Sequence, residues 1–338
     1  MQRSLLRTLS LTLLALAPAL ALAAEPPTLV VYSARAQQLI EPLFARYTAE
    51  TGVEIKVLSD SEGALMQRLQ AEGKASPADL LITVDAGNLW QAAERNLLQA
   101  TDSAVLAKNI PAHLRDPDNR WFGLSVRART LVYASDRVDA DALSTYEALG
   151  DDTWKGRLCL RTSQKVYNQS LVAMMIAQQG REATEVTLRG WIDNLAAAPF
   201  ANDTQVMEAI LAGQCDVGIV NTYYFGRLQS ENPDLPLKLF FPNQGEGERG
   251  VHVNVSGAGI TRHAPHPEAA QALLEWLSAD DAQALFASLN QEYPANPDVP
   301  MDPQVAAWGR FRQDLINVSE AGRRQVEAVT LMDRVGYR

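Results

Sequence analysis

The hydrophobic pattern changes period many times along the chain, and the changes alternate. Residues 28–33 (TLVVYS) form a short run of β-branched and aromatic character, as strands do. Leu39, Ile40, Leu43, Phe44 and Tyr47 follow at helical spacing. Residues 53–58 alternate with period two, 65–72 are helical, and 79–84 (DLLITV) are nearly all apolar, like strands covered on both faces. Residues 88–95 return to helix. This alternation predicts an α/β protein with a largely parallel sheet.

Residues 124–134 (LSVRARTLVYA) predict a long strand, polar in one half and apolar in the other. Short strands are expected at 157–161, 215–220 and 237–241, with helices over 166–179, 186–195 and 206–211. Residues 250–256 (GVHVNVS) alternate cleanly and lead into a glycine-rich turn, Gly257-Ala258-Gly259. Helical patterns over 267–277, 281–289, 306–312 and 320–332 complete the chain. A chain of 338 residues normally splits into two domains. No Pro/Ser-rich seam marks a split, so the chain is expected to cross between two lobes more than once. The strands at 124–134 and 250–260 are the natural crossings. The expected lobes are 24–126 with 256–300, and 127–255 with 301–338, with a ligand cleft between them.

Composition narrows the function. Apolar residues at 47% and charged residues at 21% describe an ordinary globular protein and exclude disorder. The formal charge is −10 with no basic block, which argues against nucleic-acid binding. Two cysteines and four histidines, none at i, i+4, exclude a disulfide-rich scaffold, a four-thiolate zinc site and a zincin. Arg3 and Arg7, an apolar run at 11–20 and Ala21-Leu22-Ala23 read as a secretory signal peptide over 1–23. No cysteine near the cleavage point suggests a lipid anchor. A soluble, monomeric, periplasmic protein is expected. In that oxidising compartment Cys159 and Cys215 are expected to bridge, two separately buried thiols being the alternative. The bridge would close a loop of roughly 57 residues, worth about 4 kcal/mol by chain entropy.

The segment Asn221-Thr222-Tyr223-Tyr224-Phe225-Gly226-Arg227 follows a predicted strand and enters a helical run. Strand ends that feed helices are where α/β proteins place ligands. Adjacent side chains at a helix start diverge by about 100°, so two phenols there can converge on one point. Spacing alone fits two aromatic core residues as well. Tyr167 adds a third phenol, eight residues after Cys159, as Tyr223 lies eight after Cys215. Bridged cysteines would bring all three to one rim. A free phenol, with a pKa near ~10, is neutral at pH 7. A trivalent cation reverses that, and oxygen donors select hard ions, of which Fe3+ is the biologically common one. Three phenolates balance its charge and leave half an octahedron for water or a small anion.

An anion needs neighbouring cations. Arg35 follows the first strand, and Arg127 and Arg129 share one strand face; arginine offers a planar fork to carbonate or carboxylate. One of the two can reach the site. Asp203 and Thr204 stand at a helix start, but a carboxylate there opposes an anion. His252 reads as structural, and His113, His263 and His266 as surface residues. Glu62 and Asp85 can reach the cleft mouth without forming an acid–base pair. Residues 245–250 (GEGERG) match GxGxxG by letter, but they lead into a strand and carry two glutamates, so they read as a polar turn. No GxSxG, Walker loop or HExxH occurs.

These residues resemble the periplasmic ferric-ion-binding proteins of bacterial ABC importers over essentially the whole mature chain. The likeness is carried by Val31-Tyr32-Ser33-Ala34-Arg35, Ala78-Asp79-Leu80 with Val84-Asp85-Ala86-Gly87, and Gly123-Leu124-Ser125-Val126-Arg127-Ala128-Arg129. It continues in Lys165-Val166-Tyr167-Asn168-Gln169-Ser170, Asn221-Thr222-Tyr223-Tyr224 and Asn290-Gln291-Glu292-Tyr293-Pro294. The resemblance implies a two-lobed type II periplasmic-binding-protein fold, similar to a transferrin lobe. It implies Fe3+ held by Tyr223, Tyr224 and Tyr167, a synergistic anion such as carbonate on Arg35, with Arg127 chosen over Arg129, and delivery to an inner-membrane permease with a cytoplasmic ATPase. Ala36 and Val84 stand where other members carry a histidine and a glutamate ligand, which places the chain with the three-tyrosine, anion-dependent subgroup. A carrier of a polyamine, an inorganic anion or a ferric chelate on the same fold is the alternative; the phenol trio separates the two. A secreted hydrolase would need a nucleophile–base pair, so no enzyme activity is expected.

Overall fold

The computed structural model describes residues 27–338; the expected signal peptide lies outside the described residues. Nine strands form one sheet: β1 (Leu29–Ser33), β2 (Ile55–Ser59), β3 (Leu80–Thr83), β4 (Phe122–Ala134), β5 (Leu158–Cys159), β6 (Val217–Asn221), β7 (Leu237–Phe240), β8 (Val253–Ile260) and β9 (Tyr293–Pro294). The order is β2-β1-β3-β8-β4-β6-β5, with β7 and β9 also on β4. The sheet is mixed, not largely parallel. β1 runs parallel to β2 and β3, and β5 to β6, but β8 and β4 join these groups through antiparallel ladders. Local alternation of strand and helix predicts each parallel group; the strands returning between them reverse direction.

β4 is buried along its whole length, and three apolar groups share it. Phe122, Leu124, Val126 and Ala128 join an apolar core with β1, β3, β8 and the helices Pro267–Ser278 and Asp280–Asn290. Leu131 and Tyr133 join a second core with Leu171, Val172, Met175, Trp191 and the C-terminal Leu331, Met332 and Tyr337. Val132 and Ala134 face a third group with Val206, Ile210, Val220 and Phe225.

The expected turn at Gly257-Ala258-Gly259 is strand. A Cβ at Gly257 would meet the Phe122 carbonyl and Leu89, and one at Gly259 the Arg120 carbonyl and Leu98. These glycines serve close strand approach, a use that composition cannot tell from a turn. The strand expected over 157–161 shrinks to two residues. The helix expected over 306–312 is Pro303–Ala307, followed by Gly309 at φ 102°. The last helix is broken into Glu320–Arg323 and Gln325–Arg334, so that Ala321 and Gly322 are buried ahead of the second core. Ala104–Asn109, capped by the Ser103 hydroxyl, went unpredicted because one buried leucine in six residues shows no period.

Helix Val166–Gln179 buries nine residues and ends at Gly180, φ 85°. Its N-terminus lies next to that of Thr222–Glu231 because β5 and β6 pair in parallel and their neighbouring cysteines are bridged: Cys159–Cys215, Cα–Cα 6.0 Å. Cys215 itself precedes β6. Replacing both cysteines by alanine is expected to cost about 4 kcal/mol of unfolding free energy by the chain-entropy account, for a separation of 56 residues, read as a lower urea midpoint. An unchanged midpoint would mean that sheet pairing alone holds the two strands.

Candidate metal centre

A cavity of ≈ 280 Å³ opens where the two helix N-termini face the end of β1; Arg35, Arg127, Tyr167, Tyr223, Tyr224 and Glu292 line it, with Glu62, Lys165, Arg227 and Ser256. Tyr167 is the second residue of its helix, and Tyr223 and Tyr224 are the second and third of theirs. Neither helix has a side-chain cap, so the positive end of each peptide dipole stands beside the phenols. The Tyr223 and Tyr224 rings lie 4.5 Å apart at 32°. Cations cover all three rings. Arg127, Arg161 and Lys165 lie 5.2, 5.4 and 4.8 Å from the Tyr167 centroid. Arg227 lies 5.2 Å from Tyr223 and 5.8 Å from Tyr224.

Burial nonetheless keeps phenols neutral in the metal-free protein. It raises Tyr223 well above the ordinary value, and the neighbouring Tyr167 and Tyr224 add to the rise against Arg127. Burial also raises Tyr167, with Arg127 pulling the other way. Among the described residues no group of three His, Cys, Asp or Glu side chains is placed to hold a metal. Three phenols meet at this cavity, with the carboxylates of Glu62 and Glu292 also in its lining.

The two β4 arginines part company. Arg127 lines the cavity, donates from Nη1 to Ser256 Oγ at 3.2 Å and lies 3.7 Å from Asp85. Arg129 joins the starts of the tyrosine helices. Its Nε and Nη2 donate to Asn168 Oδ1 at 3.0 and 2.6 Å, and its Nη1 to Asp203 Oδ2 and Asn221 Oδ1 at 3.1 Å each. Asn168 follows Tyr167, and Asn221 Nδ2 donates to the Tyr223 hydroxyl at 3.3 Å. Asp203 serves this hub, accepting also from Arg161 at 3.3 Å and the Asn221 amide at 2.9 Å. Arg35, 3% exposed, donates to Ser256 Oγ at 2.8 Å and to Glu292 at 3.0 Å. Asp85 is buried, caps helix Ala86–Glu94 through the Gly87 amide and accepts from Ser170 Oγ. His252 is buried outside the cavity lining, and burial with Arg129, Arg249 and Arg127 pushes it down to about 3. His263 is exposed; His113 and His266 are half-buried. Sequence reasoning missed the roles of Glu292, Asn290 and Ser256; a lone carboxylate after the apolar run LFASLN was the available signal for the first.

The model of the bacterial extracellular solute-binding proteins matches residues 42–313. The chain belongs to that family. Its members are solute-binding proteins, not enzymes. Iron uptake protein A2 of Synechocystis sp. is 45% identical over 320 residues, covering 93% of this chain and 91% of its own. The Trichodesmium protein IdiA (FutA), solved in complex with iron and citrate ligands, superposes with a TM-score of 0.88 at 39% identity, over 92% of this chain and 100% of its own. Ferric iron-binding protein A of Mannheimia haemolytica, solved in an open conformation, gives 0.86 at 36% identity, over 92% and 99%. Both structures share the two-lobed solute-binding fold of this chain. Among its described residues no helix is long and apolar enough to cross a membrane.

Two substitutions probe the frame of the site. Arg129→Met leaves Asp203 short of one partner and both asparagine oxygens unpaired. It is expected to lower the unfolding free energy by about 3–5 kcal/mol, measured in urea. His252 carries a pH dependence. Its folded pKa lies below the ordinary 6.5, so the unfolded chain binds a proton there and the folded one does not. Its contribution is complete above pH 6.5 and is lost as pH falls toward 3, by roughly 1.4 kcal/mol per pH unit. A His252→Gln protein should show a flatter fall in urea midpoint across that window; an identical slope would assign the fall to other groups.

Proposed function

We propose that this protein is the periplasmic Fe3+-binding component of an ABC importer, holding the ion through Tyr167, Tyr223 and Tyr224. The observation that carries this reading is three phenols lining one small cavity under a canopy of cations, in a chain 45% identical to a named iron uptake protein. Arg35 and Arg127 present guanidinium groups at the same cavity, which supports a small synergistic anion, carbonate or a short carboxylate, in the positions the phenolates leave open. Buried Tyr167 and Tyr223 are neutral before loading, so each Fe–O bond they form releases a proton and affinity rises with pH.

The signal peptide supports export, and the family supports delivery to a permease with a cytoplasmic ATPase by a soluble monomer. The lobes are 24–126 with 256–300 and 127–255 with 301–338. The core grouping supports a division within β4 and favours counting 251–255 and 305–318 with the first lobe.

The test is a visible absorption titration of the metal-stripped mature protein with Fe3+ from a weak chelator, with and without bicarbonate. A phenolate-to-iron band saturating at one iron per protein is expected, stronger or shifted with bicarbonate. Tyr223→Phe should lose the band and the tight binding together. Absence of a band from the unaltered protein would make the phenols packing residues and an organic or anionic solute the cargo.

A further inference from the structure

Glu292 stands in the cavity wall with only 2% of its surface exposed. The backbone takes a strained step to put it there. Helix Asp280–Asn290 ends on Gln291 at φ 53°, ψ 41°, a left-handed conformation sparse outside glycine. The carboxylate is fully engaged. Its Oε2 accepts from Arg35 Nη2 at 3.0 Å and Ser125 Oγ at 2.6 Å, and its Oε1 from Asn290 Nδ2 at 2.6 Å. Burial opposes its ionisation, but Arg35 and Arg127 outweigh burial and hold it below the ordinary carboxyl range.

The two cavity arginines meet at one hydroxyl, since Nη1 of each donates to Ser256 Oγ. Each has a resident carboxyl group. That of Arg127 is Asp85, which lies outside the cavity lining, fixed by Ser170, Asn254 and the Gly87 amide. That of Arg35 is Glu292, which does line it. After these bonds, Arg35 Nε and Arg127 Nη2 remain buried without a hydrogen-bond partner.

The geometry points to Glu292 as a built-in competitor for that anion: a resident carboxylate that occupies Arg35 between loadings and sets how much anion completes the iron shell. The inference rests on the ferric-ion reading above. Arg35 and Glu292 line the same cavity 3.0 Å apart, so an anion held by Arg35 comes within ion-pair range of Glu292, and like charges at that distance repel strongly in a buried site. Salt screens such a pair little. Glu292 also touches the iron side of the cavity. Asn290 Oδ1 accepts from Arg227 Nη2, and Arg227 covers the Tyr223 and Tyr224 rings. Hydrogen bonds therefore link Arg35 through Glu292 and Asn290 to Arg227, whose guanidinium lies over the phenol rings.

A competitor and a structural brace predict opposite signs. Iron-loaded Glu292→Gln and unaltered protein are titrated with bicarbonate, following the phenolate band. If Glu292 competes, the band shifts at a bicarbonate concentration at least tenfold lower in Glu292→Gln, because the amide keeps the shape and loses the charge. An equal or higher midpoint overturns the inference and makes Glu292 a brace. Glu292→Asp, which withdraws the charge by one methylene, should move the midpoint in the same direction by less; no movement again overturns it. The two readings fail differently. No band in the unaltered protein removes the ferric-ion site itself, whereas bands in both proteins with one shared midpoint remove only the role of Glu292.

Discussion

Four guanidinium groups buried around one cavity are the constraint on which the rest of this molecule depends. Arg35, Arg127, Arg129 and Arg161 are each less than a tenth exposed. A charge so placed is very unfavourable unless it is paired and hydrogen-bonded. Three carboxyl groups answer them: Glu292 for Arg35, Asp85 for Arg127, and Asp203 for both Arg129 and Arg161. These residues lie far apart in sequence. The long strand β4, which carries two of the arginines, shares its length with both sides of the sheet and so brings the partners together.

Burying cations beside phenols also sets the chemistry. The field of Arg127 pulls Tyr167 and Tyr223 toward ionisation, yet burial outweighs it. Tyr167 and Tyr223 therefore stay neutral until a strong positive charge enters. A trivalent ion supplies that charge; a divalent ion supplies less and prefers other donors. In the proposed ferric-ion site, selectivity would follow from desolvation as much as from ligand number. Glu292 and Asp85 belong to the same balance, since without them two adjacent guanidinium groups would repel.

Much of this was legible in the sequence, for identifiable reasons. The helix Val166–Gln179 matched its expected bounds because its apolar residues are dense and Gly180 ends it. The tyrosine pair stood out because a strand ends immediately before it. Equal offsets from the two cysteines placed Tyr167 beside it once the bridge was granted. Other features depend on contacts between distant segments, which local pattern does not encode. Period two put Arg127 and Arg129 on one face and could not show that one lines the cavity while the other ties two helix starts. The reversal of strand direction at β8 and β4 is likewise a tertiary event. The role of Glu292 could not be read because it lies in Arg35, more than 250 residues away.

The division of labour around the cavity bears on release. In the proposed lobes all three phenols sit on the second body, whereas Arg35 and Glu292 sit on the first. Beside one ring contact, Phe225 on Trp308, the ties between the tyrosine helices and the first body are polar: Ser170 to Asp85, Gln169 through Gln325 to Gln91, Arg227 to Asn290, and Gln291 to Ser230. Such bonds exchange for water at small net free energy. The apolar cores and the β4–β8 ladder have no such substitute. Separation of the lobes would thus break the polar ties first and draw Arg35 away from the phenols. The anion would lose one of its cations while the iron kept its phenolates. In that order of events the anion, not the tyrosine trio, is the weak link, and a resident carboxylate ready to reclaim Arg35 favours its departure.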